Sequence, residues 1–167
     1  PTLELLIGPS VNRTLLEAVL GNIAGHRERS AYSPHNNIER AVSDLLGGVS
    51  LLKMLGQTRH SNVPEARELA GRIQAGLALL ISSQREDGGW SWSGVTKAEQ
   101  PDRYLSSRVV WALSAARKSG FAVPQPSFDK AIQHLQSAFA NSTEDDHENR
   151  AIVLHGLAEA GACDFAH

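Results

Sequence analysis

Seven histidines, one cysteine and 18 carboxylates are the side chains on which acid–base, nucleophilic or metal chemistry would draw. The histidines are His26, His35, His60, His134, His147, His155 and His167. None of them makes the His-Glu-x-x-His pattern that sets two imidazoles on one helix face for zinc, because His147-Glu148 has no second histidine four residues on. A Ser-His-Asp triad has no fixed spacing and is recognised by geometry. The Gly-x-Ser-x-Gly elbow that presents a nucleophilic serine is missing, however. Cys163 stands alone, so neither an intramolecular disulfide nor a cysteine-based zinc cluster can form within the chain. Cys163, Asp164 and His167 are close in sequence but crowd the last residues, and no zinc site is expected of them. Glu144-Asp145-Asp146 reads as the charged start of a helix rather than as a proton donor. No glycine-rich phosphate loop precedes a helix, and in Gly88-Gly89-Trp90 a bulky ring fills the room a phosphate needs. Asn12-Arg-Thr14 and Asn141-Ser-Thr143 match glycosylation sequons, which matter only on a eukaryotic secretory route. The expectation is a chain with no catalytic residue, no cofactor and no metal.

The elements that would position these residues are bounded by composition. The chain has 167 residues, of which 41% are hydrophobic and 5% aromatic, enough for one core. A formal charge of −2 leaves no electrostatic footprint for nucleic acid, and no Lys/Arg run points to an anionic membrane surface. Apolar stretches break well short of a membrane span, and the N-terminus has no signal-peptide pattern. The chain begins with Pro1, and the expectation is that it belongs to a longer protein.

Residues 2–7 (TLELLI) alternate Leu3, Leu5 and Ile7 on one face before Gly8-Pro9, which predicts a short strand; an unstructured end is the alternative. Residues 1–9 are accordingly assigned as a strand or linker from a preceding domain, and residues 10–167 as a helical-hairpin domain. Ser10 is a cap for a first helix with Leu15, Leu16, Val19, Leu20 and Ile23 on one face, ending at Gly25. A second helix starts near Asn37, with Ile38, Ala41, Val42, Leu45, Leu46, Val49, Leu52 and Leu55 inward. Gly47 and Gly48 within it leave room for a close neighbour. Pro64 suits the first turn of a third helix with a stripe of Leu69, Ile73, Leu77, Leu80 and Ile81. A turn-rich loop with two tryptophans follows. Pro101-Asp102 opens a fourth helix that is apolar nearly all round and therefore buried on several sides, up to Gly120. Ser127 is the expected cap of a fifth helix carrying Phe128, Ala131, Ile132, Leu135 and Phe139. Thr143 begins a sixth, with Ala151, Ile152, Leu154, Leu157 and Ala158 toward the core and Gly161 closing it.

A weak repeat runs through the second half. Trp111-Ala-Leu-Ser-Ala-Ala116 parallels His155-Gly-Leu-Ala-Glu-Ala160, each within a very apolar helix that follows a helix and a loop and ends at glycine. A hairpin of this kind cannot bury its apolar face alone and stacks on its neighbours. The predicted fold class is all-α: an α/α toroid-like array of about six helices. The second, fourth and sixth helices form one layer and the remaining helices form the other, preceded by one short strand.

The most distinctive local pattern is Gln84, Asp87, Gly88, Gly89 and Trp90. Gln84 at a helix end can bond orphan carbonyls or the following turn, the glycines permit a tight turn with positive φ, and Trp90 can fold back over the helix ends. This resembles the glutamine–tryptophan repeat of α/α-toroid proteins, among them triterpene cyclases, protein prenyltransferase β-subunits and the thioester domains of α2-macroglobulin proteins. Residues 87–94 (DGGWSWSG) followed by Asp102-Arg-Tyr104-Leu105 resemble the bacterial α2-macroglobulin thioester domain, where a glycine-rich aromatic loop precedes an Asp-x-Tyr-Leu helix. The Gly-Pro-Ser stretch leading into Leu-Leu-Glu-Ala-Val-Leu20 is similar to the start of that domain.

That family carries its thioester at the start of the second helix, joining a cysteine sulfur to a glutamine three residues on. The matching place here is residues 32–40, in which Ser33, Pro34, His35, Asn36, Asn37, Ile38 and Glu39 offer neither partner. The resemblance thus implies a bacterial, periplasmic or secreted protease inhibitor or envelope-surveillance protein without covalent capture. Its implied partners are other domains of a parent chain, proteases, and further copies through an open edge. The alternatives are a partial cyclase- or prenyltransferase-like toroid, which the scarcity of aromatics disfavours, and a plain interaction module. For the latter, Trp92, Asp102 and Tyr104 are the candidate contact surface; the contrary reading has the loop's rings covering helix ends.

Overall fold

The computed structural model describes residues 37–57, 64–92, 100–143 and 145–163, all within one compact unit. The predicted strand, the first predicted helix and residues Ser33 to Asn36 lie outside the described residues. Within them are five helices and no strand: α1 (Asn37–Gln57), α2 (Pro64–Ser82), α3 (Arg103–Lys118), α4 (Gln125–Ala140) and α5 (His147–Glu159). No described helix is long and apolar enough to cross a membrane.

The core follows from helical spacing. Ile38, Ala41, Val42, Leu45, Val49 and Leu55 of α1 are buried, as are Leu69, Ile73, Leu77 and Leu80 of α2. Leu51 is buried as well, which widens the α1 stripe beyond the expected one. Of the paired glycines in α1 only Gly48 touches a neighbour: a Cβ there would stand 3.1 Å from the Ile73 side chain, whereas Gly47 faces open space.

α3 packs against each of the other four described helices, most extensively α5 and then α1. That is the burial on several sides expected of a helix with apolar residues around most of its circumference. Its buried serines do not leave hydroxyls stranded. Ser107 Oγ donates to the Arg103 carbonyl and Ser114 Oγ to the Val110 carbonyl, both at 2.7 Å, which satisfies each group within the helix. Small residues on α3 also let α5 come close. A Cβ on Gly156 would stand 3.0 Å from the Ser107 carbonyl oxygen, so the two backbones almost touch there.

Two helix starts differ from expectation. α4 begins at Gln125 with Pro126 in its first turn, where a missing N–H costs nothing, so Ser127 lies inside the helix and does not cap it. α5 begins at His147, with Asp146 at the N-cap position instead of Thr143 as the start. The Asp146 carboxylate accepts from Asn149 Nδ2 at 2.8 Å and pairs with Arg103 at 3.5 Å, so it serves side chains rather than the helix backbone.

The inward face of α5 also differs. Val153, Gly156 and Leu157 are buried, while Ala151, Leu154 and Ala158 are exposed and Ile152 is half-buried. Large apolar side chains are normally the best guide to a core face, but here the close approach at Gly156 fixes the rotation of the helix. The two repeated segments share part of their burial: Val109, Ala112 and Leu113 correspond to Val153, Gly156 and Leu157, all buried, whereas Ser114 is buried and its counterpart Ala158 exposed. Both helices end the same way. Phe121 N–H reaches the Ala116 carbonyl and Gly120 N–H the Arg117 carbonyl, and Ala162 and Gly161 repeat the pattern onto Leu157 and Ala158. With φ of 88° at Gly120 and 68° at Gly161, these are paired Schellman caps.

Candidate functional site

The segment after α2 is held from every side. α2 ends at Ser82 and the chain turns through Arg85, whose carbonyl accepts from Gly88 N–H while its own N–H donates to the Gly89 carbonyl, both at 3.0 Å. Gly88 has a φ of 88°. Gly89 does not share the positive φ expected of the pair; its missing side chain matters because a Cβ would lie 2.6 Å from His134 Nε2 and 2.7 Å from Pro101 Cβ. Asp87 closes the turn by accepting from Gly89 N–H at 3.0 Å and pairing with Arg85 at 3.3 Å. Burial works to raise the Asp87 carboxyl, but the Gly89 N–H and the Arg85 guanidinium outweigh it and hold the group below the usual carboxylate range.

Gln84 and Trp90 make the longer connections. Gln84 Nε2 donates to the Gly88 carbonyl at 3.1 Å, bracing the turn, and to the Ser127 carbonyl in the first turn of α4 at 2.8 Å. Trp90 is 1% exposed, and its indole N–H donates to the Leu80 carbonyl of α2 at 2.7 Å. Its backbone N–H donates to Ser106 Oγ of α3 at 2.9 Å, and its carbonyl accepts from Asp102 N–H at 2.8 Å. One short segment therefore touches the end of α2, the start of α3 and the start of α4. His134 of α4 completes it, with Nδ1 3.2 Å from the Asp87 carbonyl.

Asp102 is the N-cap of α3. Its carboxylate accepts from Leu105 N–H at 2.7 Å, so this member of the candidate contact surface is engaged in holding the helix start. Replacing Asp102 by alanine is expected to destabilise the chain by about 1 kcal/mol, read as a shift in the urea midpoint without a change in slope. Asp102→Asn should recover most of that loss.

Trp92 and Tyr104 form a second grouping. Their rings stack with centroids 6.2 Å apart and planes 13° from parallel. Arg108, one turn along α3, lies with its guanidinium carbon 5.6 Å from the Tyr104 ring centre. The same guanidinium pairs with Glu39 at 3.4 Å and donates to Ser43 on α1. Arg108, which sequence reasoning did not single out, thus joins the tryptophan loop, through Tyr104, to the first turn of α1, which holds Asn37, Ile38 and Glu39. Ile38 itself is 1% exposed and belongs to the core. Tyr104 is 37% exposed and Trp92 half-buried, so this strip faces solvent in part.

The other chemistry-bearing residues are scattered. His155 is exposed and packs edge-on against Trp111 with centroids 5.0 Å apart. Cys163 donates to the Leu154 carbonyl at 3.5 Å, and Asp164 and His167 lie outside the described residues. Among the described residues no three His, Cys, Asp or Glu side chains gather where they would hold a metal ion.

No family model, no curated protein and no solved structure matches the chain at a significant level.

Proposed function

We propose that this chain is a non-catalytic α/α-toroid-like domain of a bacterial α2-macroglobulin-like protein. In this reading it works in protease inhibition or envelope surveillance, in the periplasm or outside the cell, without a covalent thioester trap. The observation that carries the reading is the geometry of Gln84, Gly88 and Trp90. In an array of helical hairpins, a residue at the end of one helix must connect to the next hairpin along, and the Gln84 bond to the Ser127 carbonyl makes that connection. The alternation of contacts, α1 with α3 and α3 with α5, suits one layer of such an array. On this reading the thioester position corresponds to residues 32–40, which contain no cysteine or glutamine, and Glu39 among them pairs with Arg108. Any trapping by such a protein is steric, by a change of shape around a bound protease.

The solvent-facing strip of Trp92, Tyr104 and Arg108 favours a second reading, an interaction module that docks a partner through an aromatic and cationic surface. One experiment separates the two. The protein that contains this chain is incubated with a broad-specificity protease, and cleavage of a small peptide and of a large protein are followed together. Selective loss of the large-protein activity is the expected result. Equal cleavage of both substrates removes the inhibitor reading and leaves the module. Trp92→Ala then tests the module, with loss of binding to a captured partner and no loss of fold.

A further inference from the structure

We propose that His134 is an acid-sensitive latch that holds the tryptophan loop on α4 when neutral and releases it when protonated. The Asp87 carbonyl can only accept, so the contact with His134 Nδ1 at 3.2 Å requires the proton to sit on Nδ1. Nε2 is then a bare lone pair. It is buried and has no hydrogen-bond partner, and it lies where a side chain at position 89 would be, against Gly89 and Pro101. Protonation puts a charged N–H in that pocket with no acceptor to receive it, the situation that burial penalises most.

The charged groups facing the ring come from two elements. The loop contributes Asp87 and Arg85, and α3 contributes Arg103, while α4 itself presents the Lys130 carbonyl to Gly88 rather than a charge to the ring. Burial pushes the imidazole down from its ordinary value. Asp87 opposes that through its charge and its carbonyl, and the cations Arg85 and Arg103 push it further down. A histidine depressed in the folded state is protonated first in the open state. The latch therefore contributes its full stability above about pH 6.5 and loses it as pH falls toward the folded-state value. Because the loop also carries the Gln84 bond to Ser127, its release uncouples α4 from the end of α2.

Hydrogen exchange of the segment 84–91, corrected for the intrinsic pH dependence of exchange, tests this on the whole chain between about pH 8 and pH 5. Protection should fall by up to about tenfold per pH unit below about pH 6.5, the slope of one proton. In His134→Asn the amide can still donate to the Asp87 carbonyl but cannot titrate, so protection should be lower overall and flat across the same range. An unchanged pH slope in that variant, or a flat profile in the unaltered chain, overturns the proposal. Should His134→Asn not fold, nitrogen NMR of the unaltered chain's histidines decides. A proton on Nδ1 with titration below the ordinary histidine range is expected, and a proton on Nε2 or ordinary titration contradicts the latch.

Discussion

Trp90→Ala is expected to cost about 3–5 kcal/mol, the range for emptying a buried aromatic site, and to lower the urea midpoint more than any other single truncation among the described residues. The ring is one of the largest fully buried side chains, and its residue bonds to both α2 and α3. The loss has two parts. Removing the ring opens a cavity among α2, α3 and the loop. Removing the indole N–H leaves the Leu80 carbonyl with only the Ser83 hydroxyl, which donates to it at 3.1 Å. Trp90→Phe separates them, since it keeps most of the ring and deletes the donor. It should cost about 1–3 kcal/mol. If Trp90→Phe were as damaging as Trp90→Ala, the hydrogen bond and not the packing would be the main contribution. If Trp90→Ala cost less than about 1 kcal/mol, the ring would not be the centre of the loop.

Gly88→Ala should destabilise by at least about 2 kcal/mol although it adds a single methyl group. The backbone there is left-handed, which penalises any Cβ by roughly 1–2 kcal/mol. The added carbon would also stand 2.3 Å from the Lys130 carbonyl oxygen and 2.8 Å from its carbon, which are helix backbone and cannot swing aside. The effect should be local as well as global, with α4 displaced from the loop before the rest unfolds. Gly47→Ala is the internal control. Gly47 is exposed in the middle of α1 with nothing within 4 Å of the new carbon, so alanine there should stabilise by about 1 kcal/mol. Equal outcomes at the two positions, measured by urea unfolding, would show that the contact with Lys130 carries no weight.

What was legible in the sequence depended on whether the signal was local. Helix α2 and its stripe from Leu69 to Leu80 follow from spacing alone, because its face packs chiefly on α1. The glycine stops at Gly120 and Gly161 are equally local, since each needs only its own two residues in a Schellman turn. Gln84 and Trp90 were found through their spacing with Gly88, and the local chemistry assigned to them matches the bonds they make. The face of α5 was not legible. Its rotation is set by a backbone approach at Gly156 that no side-chain hydrophobicity records, and Leu154 is left outside. Ser127 as a cap failed because Pro126 is tolerated within a first turn. Gly89 is in the turn but without a positive φ, and the need for glycine there comes from His134 and Pro101, which are distant in sequence or on the far side of the loop. Arg108 is not singled out by the sequence, and His134 stands there only as one of seven histidines, because a lone cation and a lone imidazole have no spacing to recognise. Both acquire meaning only from what other helices bring beside them.

The loop after α2 ties α2 to α4, and hydrogen exchange of the whole chain carrying Gln84→Ala measures that tie. The substitution removes one donor from the Gly88 carbonyl inside the loop and from the Ser127 carbonyl across to α4. Exchange should quicken in residues 85–90 and, in step with them, in the first two turns of α4. Faster exchange confined to the loop, with α4 unchanged, would contradict it.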